Sequence, residues 1–228
     1  MSFCTKTPQG KKSSAPDPSA FVHLYRILKD RFGPSGWWPG ESPLEVAVGA
    51  VLTQNTAWIN VEKAIDNLKK HGMLDLGKLA AIDQGELAQL IRASGYYNIK
   101  ARRLKNLVSA AASGYDSLEA FLGQDLNSLR EILLQTNGIG KETADSICCY
   151  AADKTIFVVD AYTKRILMRH GIIDNSSTYD QIQGLFQQNL PPDLGLYKDL
   201  HAYLVFIGKD CCRPSNPRCG TCPLHSWP

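Results

Sequence analysis

The chain has no apolar run approaching the roughly 20 residues that cross a bilayer as a helix, so no membrane-spanning segment and no membrane partner are expected. Residues 1–18 (MSFCTKTPQGKKSSAPDP) contain no apolar core and read as a flexible, slightly basic tail, not a secretory signal. Net charge is also scarce. Lys and Arg number 25 against 22 Asp and Glu, and the resulting +3 is too weak a field to argue for a polyanionic partner by itself. No internal repeat of fixed period is present. A disulfide framework is excluded on different grounds. Seven cysteines are present, but they include the neighbours Cys148/Cys149 and Cys211/Cys212 and follow no secretory signal, so a reduced, cytoplasmic setting is expected.

What the chain has is helical periodicity. Its 228 residues, 44% apolar, suffice for one large domain or two small ones. Phe21, Leu24, Tyr25 and Leu28 recur at i, i+3, i+4, i+7 and predict an amphipathic helix ending near Phe32-Gly33-Pro34. Residues 44–53 are almost wholly apolar and predict a buried helix. Further helices are predicted near 57–70, 84–93, 98–113, 117–122, 126–135, 141–152, 161–170, 177–188 and 196–208. Thr155-Ile-Phe-Val-Val159 is β-rich but isolated and reads as an extended connection. The fold class is all-α.

Two segments carry chemistry. In Leu134-Gln-Thr-Asn-Gly-Ile-Gly-Lys-Glu-Thr-Ala144 a helix ends, a turn framed by Gly138 and Gly140 follows, and a helix starts near Lys141. A turn without side-chain bulk lets backbone N–H groups approach a phosphate, and the next helix adds its positive dipole end. Helical hairpins of ordinary structural purpose share this pattern. At the C-terminus, Cys212, Cys219 and Cys222 stand in C-x6-C-x2-C spacing on a Pro/Gly loop, where three thiolates can converge on one metal centre. Buried small thiols are the alternative. Two basic runs, Lys100/Arg102/Arg103/Lys105 and Lys164/Arg165/Arg169, read as nucleic-acid contacts or as solvated helix faces.

The hairpin, the Val158-Val-Asp160 that follows it and the cysteine tail together resemble the helix-hairpin-helix DNA glycosylases of the endonuclease III type. Leu52-Thr-Gln-Asn-Thr56 and Gly95-Tyr-Tyr-Asn-Ile-Lys-Ala101 are similar to two further segments of that family, so the resemblance runs from about residue 20 to 225. It implies two helical lobes with a DNA-binding cleft between them. One is a barrel over residues 43–154 ending in the hairpin; the other is discontinuous, from 19–42 plus 155–228. It also implies a monomer acting on double-stranded DNA that contains a damaged base. Asp160 matches the catalytic aspartate, whose carboxylate would stabilise an oxocarbenium-like sugar and orient a water. Gln54 and Tyr96 match positions that fill the gap left by a flipped base; a helix-end hydrogen bonder and a core aromatic are the plainer readings. Gly138, Gly140 and Lys141 would hold backbone phosphate, and Lys209 and Arg213 read either as phosphate contacts or as solvated surface.

The chain departs from the family twice. Strand-cutting members keep a lysine two positions after the second hairpin glycine as the Schiff-base nucleophile; here that position is Glu142. Lys141 is adjacent, but one residue along a helix turns a side chain by about 100°. Water is then the nucleophile and the enzyme a monofunctional glycosylase. The family's fourth cysteine would fall at Pro228, so Cys211, His225 or an outside group is left to complete the ligands. A [4Fe-4S] cluster is expected, with zinc on Cys212, Cys219, Cys222 and His225 the alternative, and an empty loop the third reading.

Glu142 and the Trp37-Trp38-Pro39 segment look most like the endonuclease-III-like 3-methyladenine glycosylases. That resemblance implies a base pocket in which Trp37 or Trp38, with Pro39, faces Trp58. Such a pocket would bind a cationic N3-alkylated adenine by stacking and cation–π attraction worth on the order of 1–2 kcal/mol. Core anchoring is the common alternative for tryptophan. The rivals are removal of an oxidised or mismatched base, a lesion-binding module without catalysis, and an electron-transfer iron–sulfur protein.

Overall fold

The computed structural model describes residues 18–227. The predicted tail lies outside them except for Pro18, the first residue of α1. The described residues are helical, with no strand among them and no helix long and apolar enough to cross a membrane. They divide into two compact units. The first runs to Trp37 and resumes at Ile156; the second is Trp38–Thr155.

The first unit opens with α1 (Pro18–Phe32), whose predicted apolar stripe puts Phe21, Leu24 and Leu28 fully inside. The second unit follows. Its central helix α2 (Pro43–Leu52) starts at the N-cap Ser42, whose side chain accepts from the Glu45 amide, with proline at N1 where its missing N–H is harmless. Residues Leu44–Leu52 are all buried, as a continuously apolar helix requires. Around it lie α3 (Trp58–Lys70), α4 (Leu76–Ala81), α5 (Gln84–Leu90), α6 (Tyr97–Ala112), α7 (Leu118–Leu122), α8 (Leu126–Gln135) and α9 (Lys141–Ser146), the last continued by a π-helical turn, Ile147–Ala151. Of these, α4 is absent from the predicted set. It has only six residues and Gly77 dilutes its periodicity, while the Asp75 side chain caps it by accepting from the Lys78 amide.

The chain then returns to the first unit through the extended segment Ile156–Val159, which is buried. With no sheet to join, its backbone is satisfied by side chains. Gln187 Oε1 accepts from Phe157 N (3.1 Å), Gln183 Nε2 donates to Phe157 O (2.6 Å), and Tyr179 Oη accepts from Val159 N (3.4 Å). The helices α10 (Ala161–Arg169), α11 (Tyr179–Asn189) and α12 (Leu194–Asp210) complete the unit. Phe157 stacks on Phe186 at 3.9 Å, and Phe21 meets Phe186 edge-on. Trp227, 1% exposed, donates its indole N–H to Ala20 O (3.0 Å), tying the end of the chain to α1.

The first boundary between units falls at Trp37/Trp38 where 42/43 was expected, and the side chains show why. Trp37 meets Phe206 of α12 edge-on at 5.8 Å, whereas Trp38 meets Trp58 and Tyr150 of the second unit. The helix ends of the second unit are held by buried ions. Lys100, 1% exposed, donates to Leu52 O (2.7 Å), Thr56 Oγ1 (2.5 Å) and Ser94 O (2.7 Å); burial, with Arg103 adding to it, pushes its ammonium down to about 8. Arg130 of α8 grips the buried Asp145 of α9 with two hydrogen bonds, 2.6 and 3.3 Å.

Candidate functional site

The hairpin is built as its glycines demand. Thr136 ends α8, its amide donating to Ile132 O and Leu133 O, and Ile139 N donates back to Thr136 O (3.0 Å). Gly138 has φ +93°, and a Cβ there would meet the Arg103 side chain, so glycine is required twice over. Gly140 is the N-cap of α9 at φ −91° with open space where a Cβ would stand, and no side chain caps that helix end. Its backbone is therefore open to a close approach from outside. Lys141 and Glu142 are exposed on the first turn of α9.

This asymmetry gives an expected result. Gly138→Ala should lose roughly 2–4 kcal/mol of stability, from a left-handed backbone plus a packed-in methyl. Gly140→Ala should cost about 1 kcal/mol or less through a poorer N-cap yet weaken duplex DNA binding measured by fluorescence anisotropy. Unchanged DNA affinity in Gly140→Ala would remove the hairpin from the DNA-contacting surface.

Gln54 is tied to the hairpin. Its amide nitrogen donates to Gly138 O (3.2 Å) and Thr143 Oγ1 (2.9 Å), and its carbonyl accepts from Arg103. A side chain held at both ends staples the hairpin. The exposed tip of that loop is Asn55, at φ +53°, a left-handed conformation that asparagine tolerates better than most residues. Tyr96 shares the feature, at φ +46°, and is 70% exposed, so it is not a core aromatic. Lys100 and the Thr56 Oγ1–Ser94 O hydrogen bond (2.7 Å) join the two loops.

Neither basic run is a solvated stripe. Besides Lys100 and Arg103, Lys105 donates to the carbonyls of Ala80 (2.5 Å) and Ile82 (2.7 Å), closing the end of α4. In the other run Arg165 donates to Cys212 O (2.7 Å) and Gly208 O (3.0 Å), Arg169 to Cys212 Sγ (3.2 Å) and Pro214 O (3.0 Å), and Lys164 to Ser177 O (3.3 Å). These cations bind loops of their own unit.

Of the expected base-pocket residues, Trp38 and Trp58 are brought together, with Pro39 exposed beside them. Their rings meet edge to face, centroids 5.3 Å apart and 86° between planes, with Tyr150 tilted on Trp38 at 5.4 Å. The pair is a closed aromatic corner, not an open parallel sandwich. Lys209 Nζ lies 5.5 Å over the Trp37 ring, and Arg213 Nε donates to Lys209 O (3.3 Å).

Asp160 follows directly on the buried Val158–Val159 and caps α10. Its Oδ1 accepts from Thr163 N (2.7 Å) and Thr163 Oγ1 (2.8 Å). Its Oδ2 lies 3.7 Å from Nε2 of the buried His201 on α12, an ion-pair distance longer than a hydrogen bond. Burial alone would raise the carboxyl; the His201 imidazole, and then the Thr163 amide and hydroxyl, outweigh it and hold Asp160 below the ordinary aspartate range. The sequence gives a single signal for His201, one imidazole in an otherwise apolar stretch of helix.

The cysteine loop does not assemble as expected. The Cys222 thiol is pushed up to about 11, first by burial, with both Cys211 and Cys212 adding. Cys212 Sγ is engaged by Arg169, and His225 is exposed. Among the described residues no group of three or more His, Cys, Asp or Glu is arranged to hold a metal ion. As placed, these residues fit neither a four-thiolate cluster nor the zinc set.

The model of the HhH-GPD superfamily of base excision DNA repair proteins matches residues 48–192. A protein of Methanocaldococcus jannaschii, provisionally named a DNA repair glycosylase, is 47% identical over 206 residues, 90% of this chain and 93% of that one. The structure of the H. pylori 3-methyladenine DNA glycosylase bound to 1,N6-ethenoadenine superposes with a TM-score of 0.73 at 32% identity, covering 83% of this chain and 97% of that one. A trapped endonuclease III–DNA covalent intermediate shares the fold at a TM-score of 0.79 and 20% identity, covering 92% and 95%.

Proposed function

The chain belongs to the HhH-GPD superfamily of base excision DNA repair proteins and is a glycosylase of the endonuclease III type, and we propose that it removes alkylated purines such as 3-methyladenine by hydrolysis, without cutting the strand. The observation that carries the reading is Asp160, its side chain 9% exposed and its carboxyl held below the ordinary aspartate range beside His201, together with Glu142, a carboxylate, where a strand-cutting enzyme would keep its amine. The likeness to a 3-methyladenine glycosylase supports the choice of base.

In the proposed reaction the N-glycosidic bond breaks, and its electron pair leaves with the cationic purine, which departs neutral. Positive charge builds on the sugar, and Asp160 Oδ2 stabilises it electrostatically. A water oriented by the same carboxylate bonds to the anomeric carbon and passes its proton to Asp160 Oδ2, which returns it to solvent, leaving an abasic sugar and an intact strand. Trp38 and Trp58 would turn their π faces to the extruded base once their edge-to-face corner opens. Gly138–Gly140 with Lys141 would hold backbone phosphate, and Asn55 and Tyr96 would enter the vacated stack. No step passes through a metal. The [4Fe-4S] cluster remains a proposal resting on the donor chemistry of Cys211, Cys212, Cys219 and Cys222, which would have to be drawn together and Cys212 released from Arg169; iron and sulfide content of the purified protein reads it out.

The test uses duplex DNA carrying methylated, oxidised or mismatched bases. Free 3-methyladenine should be released, abasic strands should stay uncut until alkali is added, and borohydride should trap no covalent complex. A trapped adduct would overturn the hydrolytic reading. Release of oxidised pyrimidines alone would redirect the substrate.

A further inference from the structure

The chemistry proposed for Asp160 leaves His201 without a role, although it is one of the few polar side chains buried in the first unit. We propose that His201 is the positioning residue for Asp160: projecting from α12 beside Oδ2, its imidazole aims that oxygen and keeps the carboxylate charged in a seat almost closed to water. The inference rests on Asp160 being the reacting carboxylate.

The geometry divides the two oxygens. Oδ1 is fully occupied by the N-cap bonds to Thr163, which fix the carboxylate plane relative to α10. Oδ2 makes no such bond and is the oxygen left for the reaction, and Nε2 of His201 stands 3.7 Å from it. Side-chain exposure is 6% for His201 and 9% for Asp160, so water screens the pair poorly and its coupling is stronger than that of a surface pair. At 3.7 Å the contact is loose, as polar contacts in a free enzyme commonly are before substrate tightens them.

The frame around the pair is stiff. The helices α10 and α12 pack directly on each other. The Arg165 guanidinium bolts α10 to Gly208 O of α12, and Gly208 itself lies against the Tyr162 ring. At the other side Asp199 Oδ1 accepts from Ser35 Oγ (2.6 Å) and Ser35 N (2.9 Å), and the Tyr203 hydroxyl donates to Gly33 O. The residues that flank His201 along α12 are thus anchored to the loop after α1, and a rigid helix presents the imidazole. Tyr162 of α10 also faces the Asp160 charge; its phenol is raised chiefly by burial and then by that charge.

The experiment compares wild type with His201→Phe, which keeps a ring of similar size without a donor, and His201→Gln, which restores a neutral donor. Release of methylated base from methylated duplex DNA should fall about 10–100-fold in kcat for His201→Phe, the cost of a misplaced reacting group. KM should change less than about twofold, and His201→Gln should recover most of kcat. Independently of activity, the Asp160 carboxyl carbon, followed by 13C NMR against pH, should titrate at higher pH in His201→Phe. Full kcat in His201→Phe, or an unmoved Asp160 titration, would overturn the pairing. Should wild type release no methylated base while the titration still moves, the substrate reading falls and the pairing stands.

Discussion

Replacing Asp160 by Asn should reduce base release by about 10²–10⁴-fold while leaving the protein folded. The two halves of that expectation have separate causes. Asparagine caps helices about as well as aspartate, so the hydrogen bond from Thr163 N that starts α10 has an acceptor in the variant. Stability should therefore move by little more than the loss of a charge beside His201. Catalysis requires that charge, because an amide neither balances a cationic sugar nor polarises a water as a carboxylate does. The ordinary Ala substitution would confound the two by also removing the cap. Single-turnover release of methylated base, together with thermal unfolding, separates them; an Asn variant that retains wild-type rates would take Asp160 out of the mechanism. The acid side follows the same logic. A group held below its ordinary value contributes stability above its unfolded pKa, and that contribution disappears as pH falls through the lower folded value, so the carboxylate stays charged well below neutrality.

The second large effect concerns stability. Arg130→Ala should destabilise the protein by about 3–5 kcal/mol, because the guanidinium makes two hydrogen bonds to an Asp145 carboxylate whose side chain has no exposure. For a chain of this size that is a fall in Tm of roughly 6–20 °C. Burying a pair of charges is worth little net, whereas removing one partner leaves the other without its main counter-charge in a low dielectric. The double variant Arg130→Met/Asp145→Leu should accordingly recover most of the loss. Because the pair joins the helices on either side of the hairpin, Arg130→Ala should also weaken duplex binding below its unfolding temperature. Calorimetry and anisotropy measure the two, and a Tm within 2 °C of wild type, about the shift of a 1 kcal/mol change, would show that the pair carries no such load.

Local signals were enough for much of the molecule. The i, i+3, i+4, i+7 apolar stripe of α1, the apolar run of α2, the glycines of the hairpin and the aspartate after Val158–Val159 each act within a few residues of themselves. The contacts that decide roles are long-range and were invisible for that reason. Gln54 and Asn55 are neighbours in one polar loop; only the positions of Gly138, Thr143 and Arg103 show that the first is tied and the second exposed. The basic runs illustrate the same point. Charge clusters suggested a surface facing phosphate, yet Lys100, Lys105, Arg165 and Arg169 close helix ends and loops, for which sequence carries no marker. In the cysteine loop the spacing matches a cluster, but Arg169 reaches Cys212 from a helix far away in sequence. The pairing of His201 with Asp160 likewise depends on the packing of α12 on α10.

One unit is continuous in sequence and the other is not, and synthesis on the ribosome feels the difference. Phe21, Leu24 and Leu28 of α1 complete a core with Phe186, Leu200 and Leu204, none of which exists until α11 and α12 have been translated. At ~5–20 residues per second the greasy face of α1 waits on the order of ten seconds or more for its partners. Meanwhile Trp38–Thr155 can emerge and fold whole. The nascent chain thus carries an unburied helix ahead of the continuous unit, and that apolar face is open to chaperones and to aggregation until α11 and α12 emerge.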